Sequence, residues 1–286
     1  EALLFAQDKE AMRRRLGESG FPVPAWAPVA SADDLERFLG AHGGVAVLKT
    51  ARGGYDGHGV RVVTSGHDAD DWLAALAQDD STGSLLVEEK VDFRRELSQQ
   101  VARRPSGGVA VYPVVETIQQ DGVCAQVIAP APETSDPVAR ECARIGRGVA
   151  EQLGVTGMLA VELFETTDGR VLVNELAMRP HNSGHWSIDG AVTGQFEQHL
   201  RAVLDLPLGD PAPRAPWTVM VNVLGGPAGR SLPSRYPEVF ARHPRVKMHG
   251  YDKTSRPGRK VGHVTAYGDS LDTVLAEARA AAALFS

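Results

Sequence analysis

Cysteine is scarce in this chain: Cys124 and Cys142 are the only two among 286 residues, and neither stands in a C-x-x-C pair. Two thiols cannot build a disulfide framework, so the sequence predicts a reducing compartment, the cytoplasm, and packed or surface thiols. Excess positive charge is missing as well. Thirty Lys and Arg face 36 Asp and Glu, a net charge of −6, which argues against a nucleic-acid partner, since such proteins carry a basic face. No apolar run approaches the roughly 20 residues of a membrane span, and no signal-peptide pattern opens the chain. Neither nucleic acid nor a membrane is an expected partner. What is present is 43% hydrophobic residues in a length that supports two or three lobes. The chain opens on Glu1 rather than methionine, and a fragment or a processed chain is the expectation from that.

Periodicity and turn signals give an alternation of strands and helices, many strands paired in hairpins, which predicts an α+β fold. A helix rich in Lys, Arg and Glu is expected over 6–19, and Phe21-Pro-Val-Pro24 is an extended connector. Ser31 reads as an N-cap. Short strands follow at Val45–Leu48 and Val60–Val63, then a helix from Asp68 to Ala77 and a strand from Leu85. Glu96–Ala102 and Gly108–Val115 read as an antiparallel pair, and Gln120-Asp-Gly122 as a tight hairpin turn. A long helix is expected over 136–153, and another from Gln195 to Leu204. Four prolines between Leu206 and Pro216 suggest a lobe boundary. Strands at Thr218–Leu224 and Val261–Ala266 and a terminal helix, Leu271–Leu284, complete the pattern.

The chemistry concentrates in Asn174-Glu-Leu-Ala-Met-Arg-Pro-His-Asn-Ser-Gly-His185, just after the apolar Val171-Leu-Val173. Glu162 ends the apolar run from Met158, and Thr166-Thr-Asp-Gly169 is a hairpin signal between the two. Strand-end glutamates are usually solvated, but two on consecutive strands, with Asn174 alongside, suit a hard divalent cation that completes its shell with water and phosphate oxygens. Arg179, His181 and His185 just beyond are either locally satisfied loop residues or donors for an anionic substrate. Upstream, Arg52-Gly-Gly-Tyr-Asp-Gly-His-Gly59 carries four glycines in eight residues, which lets backbone N–H groups approach an anion. No G-K-[ST] closes it, so it is not a Walker A loop. Alone it reads equally as a hairpin; Lys49, at the end of a buried strand, adds a point charge for a phosphate. Glu88-Glu-Lys-Val91 is either a charged strand end or a hinge whose backbone meets an adenine edge. Arg256-Pro-Gly-Arg-Lys-Val-Gly-His263 is either a solvated turn or a phosphate clamp.

In this order the motifs resemble the ATP-grasp superfamily. The combination of G-G-Y-D-G-x-G, N-E-L-A-x-R-P-H-N-S-G-H-W and R-P-G-R-K-x-G-H is similar to its 5-(carboxyamino)imidazole ribonucleotide synthases, from Gln7-Asp-Lys9 onward. The resemblance implies two α+β lobes clasping ATP and a small β-rich C-terminal lobe. It implies ATP-dependent carboxylation of 5-aminoimidazole ribonucleotide by bicarbonate, through carboxyphosphate, in purine biosynthesis. By motif position, Lys9 and Lys49 contact ATP. Gly54, Tyr55, Asp56, Gly57, His58, Gly59 and Val60 cover the triphosphate. Glu88, Glu89, Lys90 and Val91 hold adenine, Glu96 the ribose, and Gln119 and Asn174 lie near the nucleotide. Glu162 and Glu175 bind one or two magnesium ions, Glu175 bridging where there are two. Tyr55, His58, Arg179, His181 and Lys260 are the implied catalytic residues, and Asn182, Ser183, His185, Arg259 and Lys260 the implied substrate contacts. A homodimer is the implied assembly. Segment by segment, 1–23 is a linker helix left from an N-terminal domain, 24–91 the lid, 92–205 the central subdomain with the metal and substrate site, and 206–286 the C-terminal lobe.

The chain departs from the family at three places. His58 stands where arginine is usual, Gln119 where relatives often carry histidine, and the chain starts where the family's additional N-terminal domain ends. Two competing readings follow. One is a formate-dependent glycinamide ribonucleotide transformylase, whose matching run reads Asp-Thr where this chain has Asn182-Ser183. The other is a nucleotide-binding module without catalysis. A biotin carboxylase fits less well, being longer, with a different pattern after the second glutamate.

Overall fold

The computed structural model describes residues 2–54, 59–78, 83–226 and 231–285. The chain divides into two compact units, Glu1–Arg94 with Glu162–Met178, and Arg95–Val161 with Arg179–Ser286.

In the first unit the expected 6–19 helix is two helices, α1 (Leu4–Gln7) and α2 (Lys9–Glu18). Asp8 separates them with extended dihedrals and accepts the Ala11 N–H as the N-cap of α2. Its carboxylate also pairs with Arg52 at 3.0 Å. A carboxylate that caps cannot sit in a continuous helix, because the cap residue needs non-helical φ and ψ. The next elements are β1 (Trp26–Val29), α3 (Ala32–Ala41), β2 (Ala46–Thr50), β3 (Val60–Val63), α4 (Asp70–Gln78) and β4 (Leu85–Glu89). The strands form an antiparallel sheet in the order β1-β4-β2-β3. Ser31 caps α3 as expected, accepting from the Asp34 N–H. Leu35, Phe38 and Leu39, at helical spacing, join Leu48, Leu85 and Val87 in one buried cluster. Burying such a side chain contributes about 1.5–3 kcal/mol each.

The second unit begins within β5 (Phe93–Arg103) and continues through β6 (Val109–Val111), β7 (Val115–Gln120) and β8 (Val123–Ala129). Between β7 and β8, Asp121 and Gly122 both take positive φ, 51° and 76°, the requirement of a type I′ hairpin turn. Helix α5 (Asp136–Gln152) follows, and then β9 (Gly157–Thr166), which ends in the first unit and turns at Thr166–Gly169 into β10 (Val171–Ala177). After the site loop come α6 (Ser187–Gly190), α7 (Gln195–Val203), β11 (Trp217–Leu224), α8 (Tyr236–Arg242), β12 (Lys247–Gly250), β13 (Lys260–Gly268) and α9 (Leu271–Ala283). The second unit's sheet runs β5-β7-β8-β11-β13-β12, with antiparallel neighbours. The proline-rich stretch 206–216 does not interrupt it: Thr218 on β11 pairs with Ala129 on β8. Sequence patterning missed α8 and β12, which are short and present mostly exposed or half-buried residues. Ala102, Val127, Met158, Trp186 and Met220 form one core cluster, and Val219, Val264, Ala278 and Phe285 belong to another. No helix among the described residues is long and apolar enough to cross a membrane.

Candidate active site

Antiparallel register sets the centre of the first unit. Glu88 on β4 lies opposite Val47, so Lys49, two residues further along β2, shares its face. The Lys49 ammonium sits 2.8 Å from Glu88 Oε2 and 3.4 Å from Asn174 Oδ1. From α2, Arg13 forks onto the same carboxylate at 2.7 and 3.1 Å. Its guanidinium also donates to the carbonyls of Val173 at 2.9 Å and Asn174 at 2.7 Å. Arg13 is 0% and Glu88 2% exposed. Burial opposes the charge on Glu88, but Arg13 and Lys49 together hold its carboxyl below the usual carboxylate range. Burial pushes the Lys49 ammonium below the usual lysine range, with Glu88 resisting. The result is a desolvated cation–anion–cation array, in which the Asn174 backbone is gripped by Arg13 and its side chain by Lys49.

Glu175 follows on the same strand, its side chain 42% exposed, with Lys9 Nζ at 3.6 Å. Lys9 is fixed through its backbone N–H to the Ala51 carbonyl. Glu162 is half-buried on β9, which pairs with β10. Among the described residues no cluster of three or more His, Cys, Asp or Glu has metal-holding geometry. Two carboxylates on paired strands still fit magnesium, a hard cation that takes one or two carboxylates and fills its octahedron with water and phosphate oxygens.

The other residues expected on the nucleotide side divide. The side chain of Glu88, expected against adenine, is committed to Arg13 and Lys49, and that of Glu89 accepts the Ala25 N–H at 3.0 Å. A hinge contact from these two would therefore come from backbone alone. Lys90 is exposed and Val91 half-buried, both beyond the end of β4. Gly59 has φ +72°, and a Cβ there would collide with the Thr50 hydroxyl and stand 3.3 Å from Gly54 Cα. The two ends of the glycine loop thus close on each other, and Val60 enters β3 opposite Lys49. Tyr55, Asp56, Gly57 and His58 lie outside the described residues. In the second unit Glu96 and Gln119 come together, Gln119 Nε2 donating to the carboxylate at 2.7 Å, and burial pushes the Glu96 carboxyl up.

The division between units falls at Met178/Arg179, inside the motif that the sequence singles out. Beyond it, Arg179 is exposed and donates to the Pro180 carbonyl at 3.1 Å. Gln195 clamps His181 by its backbone, accepting from its N–H and donating to its carbonyl, both at 2.9 Å. Ser183 is 2% exposed, its hydroxyl 2.7 Å from Ser98 Oγ and 2.8 Å from His181 Nδ1. It therefore supports His181 instead of offering a free hydroxyl to substrate. Asn182 exchanges paired amide bonds with Asn222, at 3.0 and 2.7 Å. His185 receives Gln195 Nε2 at Nδ1, 2.7 Å away, and stacks on His263 at 5.1 Å. Burial, then His249, Lys260, Arg179 and Lys253, push His185 down to about 4, so at neutral pH it is an uncharged ring, not a cationic donor. Arg259 is exposed and reaches the Thr254 carbonyl at 3.3 Å; Lys260 is half-buried at the start of β13.

Sequence reading missed Arg13, Gln195, Asn222 and the ring group around His263. His249 stacks on His263 at 4.6 Å and bonds Asp189 at 2.7 Å, and the Tyr251 hydroxyl meets His263 Nδ1 at 2.6 Å. A signal existed for one feature. Ser98-Gln99-Gln100 places three consecutive polar residues inside a strand, which calls for buried hydrogen-bond partners.

The ATP-grasp domain family matches residues 14–196, and the phosphoribosylaminoimidazole carboxylase C-terminal domain matches residues 218–277. The interval between them contains the proline-rich segment. The N5-carboxyaminoimidazole ribonucleotide synthase of Mycobacterium tuberculosis is 51% identical over 99% of this chain, which spans 66% of that relative's length. The crystal structure of N5-carboxyaminoimidazole ribonucleotide synthetase from Thermus thermophilus superposes with a TM-score of 0.86 at 38% identity, covering 100% of this chain and 74% of that one. A structure of the Aspergillus clavatus synthase in complex with ADP and 5-aminoimidazole ribonucleotide gives a TM-score of 0.86 at 28% identity, over 99% of this chain and 74% of that one.

Proposed function

Since this chain belongs to the N5-carboxyaminoimidazole ribonucleotide synthase family of ATP-grasp proteins, we propose that it takes part in the ATP-dependent carboxylation of 5-aminoimidazole ribonucleotide by bicarbonate, with release of ADP and phosphate. The observation that carries this reading is the array in the first unit: Lys49 between Glu88 at 2.8 Å and Asn174 at 3.4 Å, with Glu175 next along β10 and Lys9 3.6 Å from it. Two cations and two strand-borne carboxylates, Glu162 and Glu175, are what a triphosphate requires.

Phosphoryl transfer needs chiefly positioning and charge stabilisation. Bicarbonate attacks the γ-phosphorus, and Lys49 spreads the charge that develops on the equatorial oxygens while Glu88 and Asn174 keep its ammonium in place. Glu162 and Glu175 would hold magnesium, which supplies charge neutralisation on the polyphosphate. Lys9 adds a second positive charge on the same side. The glycine loop, which includes Tyr55 and His58, excludes water from the short-lived carboxyphosphate. Arg179 and His181 hold the carboxyphosphate or the carbon dioxide it releases, with Lys260 beside them. Arg259 assists the ribonucleotide phosphate. The exocyclic amine of the ribonucleotide then attacks carbon. Backbone groups of 88–91 meet adenine, and Glu96 with Gln119 serves the ribose. In this scheme 24–91 acts as the lid, 92–205 as the central subdomain and 206–286 as the C-terminal lobe.

A cytoplasmic homodimer completes the proposal. Two cysteines in 286 residues, too few for a disulfide framework, suit a reducing compartment. Phe196, Leu200, Val203 and Leu204 leave an apolar strip exposed on and just after α7, a surface that self-association could cover. Sedimentation velocity tests the assembly; a single monomeric species at all concentrations removes it.

The deciding experiment is a coupled ADP-release assay with ATP, 5-aminoimidazole ribonucleotide and bicarbonate. Glu175→Gln is expected to lower bicarbonate-dependent turnover by about 10²-fold or more, with an unchanged thermal unfolding midpoint. Undiminished turnover in that variant would remove Glu175 from the metal assignment. Nucleotide binding without any ADP release from the unsubstituted chain would reduce the protein to a nucleotide-binding module.

A further inference from the structure

Gln195, the first residue of α7, is 1% exposed, and its side chain bonds both sides of the turn of residues 182–184. Oε1 accepts the His181 N–H at 2.9 Å. Nε2 donates to the His181 carbonyl at 2.9 Å and faces His185 Nδ1 at 2.7 Å. Two neighbours fix where this amide sits. The Ser187 hydroxyl accepts the Gln195 backbone N–H at 3.0 Å and donates to the Gly184 carbonyl at 2.6 Å. A Cβ on Gly184 would collide with Gln195 Oε1 and stand 3.0 Å from Cδ, so only glycine leaves the amide its place.

The polarity of this arrangement is fixed by the backbone. An N–H can only donate and a carbonyl only accept, so turning the Gln195 amide over would oppose two donors and two acceptors at His181. One Nε2 proton is therefore committed to the His181 carbonyl, and the other points at His185. Nδ1 has to accept it, which puts the proton of the neutral ring on Nε2. A half-turn of the ring would place a carbon there and leave a buried amide proton without an acceptor, a costly exchange. A doubly protonated ring would set Nδ1–H against that same amide proton. Burial acts in the same direction, pushing the ring down to about 4.

The half-buried ring of His185 is stacked on by Phe196 at 5.8 Å and His263 at 5.1 Å, with Tyr251 edge-on at 5.9 Å. Among the described residues no group bonds its Nε2. Beside His249, the charges that act on the ring are those of Lys260, Arg179 and Lys253, surroundings that favour an anion. We propose that Gln195 holds His185 as a neutral ring protonated at Nε2, and that this N–H donates to an oxyanion of the bound substrates, the ribonucleotide phosphate or the carboxylating anion. Gln195 is then a positioning residue. The inference rests on the proposed function for what the donor serves, and on the structure alone for where the proton sits.

The test uses the full chain with ¹⁵N-labelled histidine. Long-range proton–nitrogen correlation spectra at neutral pH are expected to show His185 neutral and protonated at Nε2. Gln195→Glu keeps the shape of the side chain but presents an acceptor to Nδ1, which is expected to become protonated. Gln195→Met offers neither donor nor acceptor and is expected to give a mixture of the two neutral forms. A ring protonated at Nδ1 in the unsubstituted chain overturns the proposal, as does an unaltered Nε2–H ring in both variants. 5-Aminoimidazole ribonucleotide and bicarbonate are then added separately to the labelled chain. A shifted Nε2 resonance with the first marks the ribonucleotide as the partner, and with the second the carboxylating anion; no response to either overturns the donor role. In the ADP-release assay His185→Phe, which keeps a stacking ring without a donor, is expected to lose about 10–100-fold in kcat/KM. His185→Gln, whose amide restores a donor, is expected to recover most of it. Undiminished kcat/KM in His185→Phe, or an equal loss in both, overturns the donor role. A neutral Nε2–H ring in a chain that shows no bicarbonate-dependent ADP release upholds the position of the proton and overturns the proposed function.

Discussion

Arg13 keeps a guanidinium entirely out of water, which is tolerable only because Glu88 and two carbonyls take up its donors. Replacing it by methionine leaves Glu88 with Lys49 alone and two carbonyls unpaired. Arg13→Met is expected to destabilise the chain by about 3–5 kcal/mol in urea unfolding, and Arg13→Lys by less, since a charge remains without the fork. A loss under about 1 kcal/mol, the range of an exposed pair, would contradict this account. The histidines supply a second test. His185 titrates in the folded chain at about 4 against an ordinary 6.5, because of burial first. Between these values the unfolded chain binds a proton that the folded chain refuses, so stability falls as pH drops from 6.5 and levels off below 4. His263, pushed down by burial and by its two histidine neighbours, extends the decline in the same direction. Glu88, held low by Arg13 and Lys49 against its burial, stabilises above the usual carboxylate range and loses that contribution as pH falls through its depressed value. Thermal midpoints measured from about pH 7 to about pH 5 should decrease, and His185→Gln should flatten the slope. A rising midpoint would refute the sign.

At the scale of elements, helix–sheet packing in the second unit depends on a missing side chain. A Cβ on Gly146 of α5 would sit 2.7 Å from Gln99 Cγ and 2.8 Å from Val101 Cγ2, both on β5. In an exposed helix Gly→Ala stabilises by about 1 kcal/mol. Here Gly146→Ala is expected to destabilise by about 1–3 kcal/mol through overpacking, and stabilisation in a denaturant titration would show that α5 can move away without loss. Other elements were readable because their determinants are local. The Ser31 cap, the Asp121-Gly122 turn and the Thr166–Gly169 hairpin are each encoded within four or five residues. The 6–19 helix was misread because its pattern hid a capping role for Asp8, whose second partner, Arg52, is far along the chain.

For the whole molecule, ligand linkage separates binding from turnover. A nucleotide that binds only the folded chain stabilises it by about 2.7 kcal/mol at a hundredfold excess over Kd. ATP with magnesium should therefore raise the unfolding midpoint, and Glu175→Gln should lose the magnesium-dependent part of the rise. An identical rise in the variant, with and without magnesium, would argue against cation binding at Glu175.

By itself the sequence determined the α+β alternation, the hairpins and the run from Asn174 to His185, because hydrophobic period, turn chemistry and motif spacing act over a few residues. Only the tertiary structure decided which buried polar groups satisfy one another. Arg13 meets Glu88 across 75 positions and the Val173 carbonyl across 160, and Ser98 meets Ser183 across 85. It also decided that Glu175 and His181 fall in different units. A buried donor must find an acceptor wherever the fold brings one, and that pairing is set by long-range packing, which local patterns do not encode.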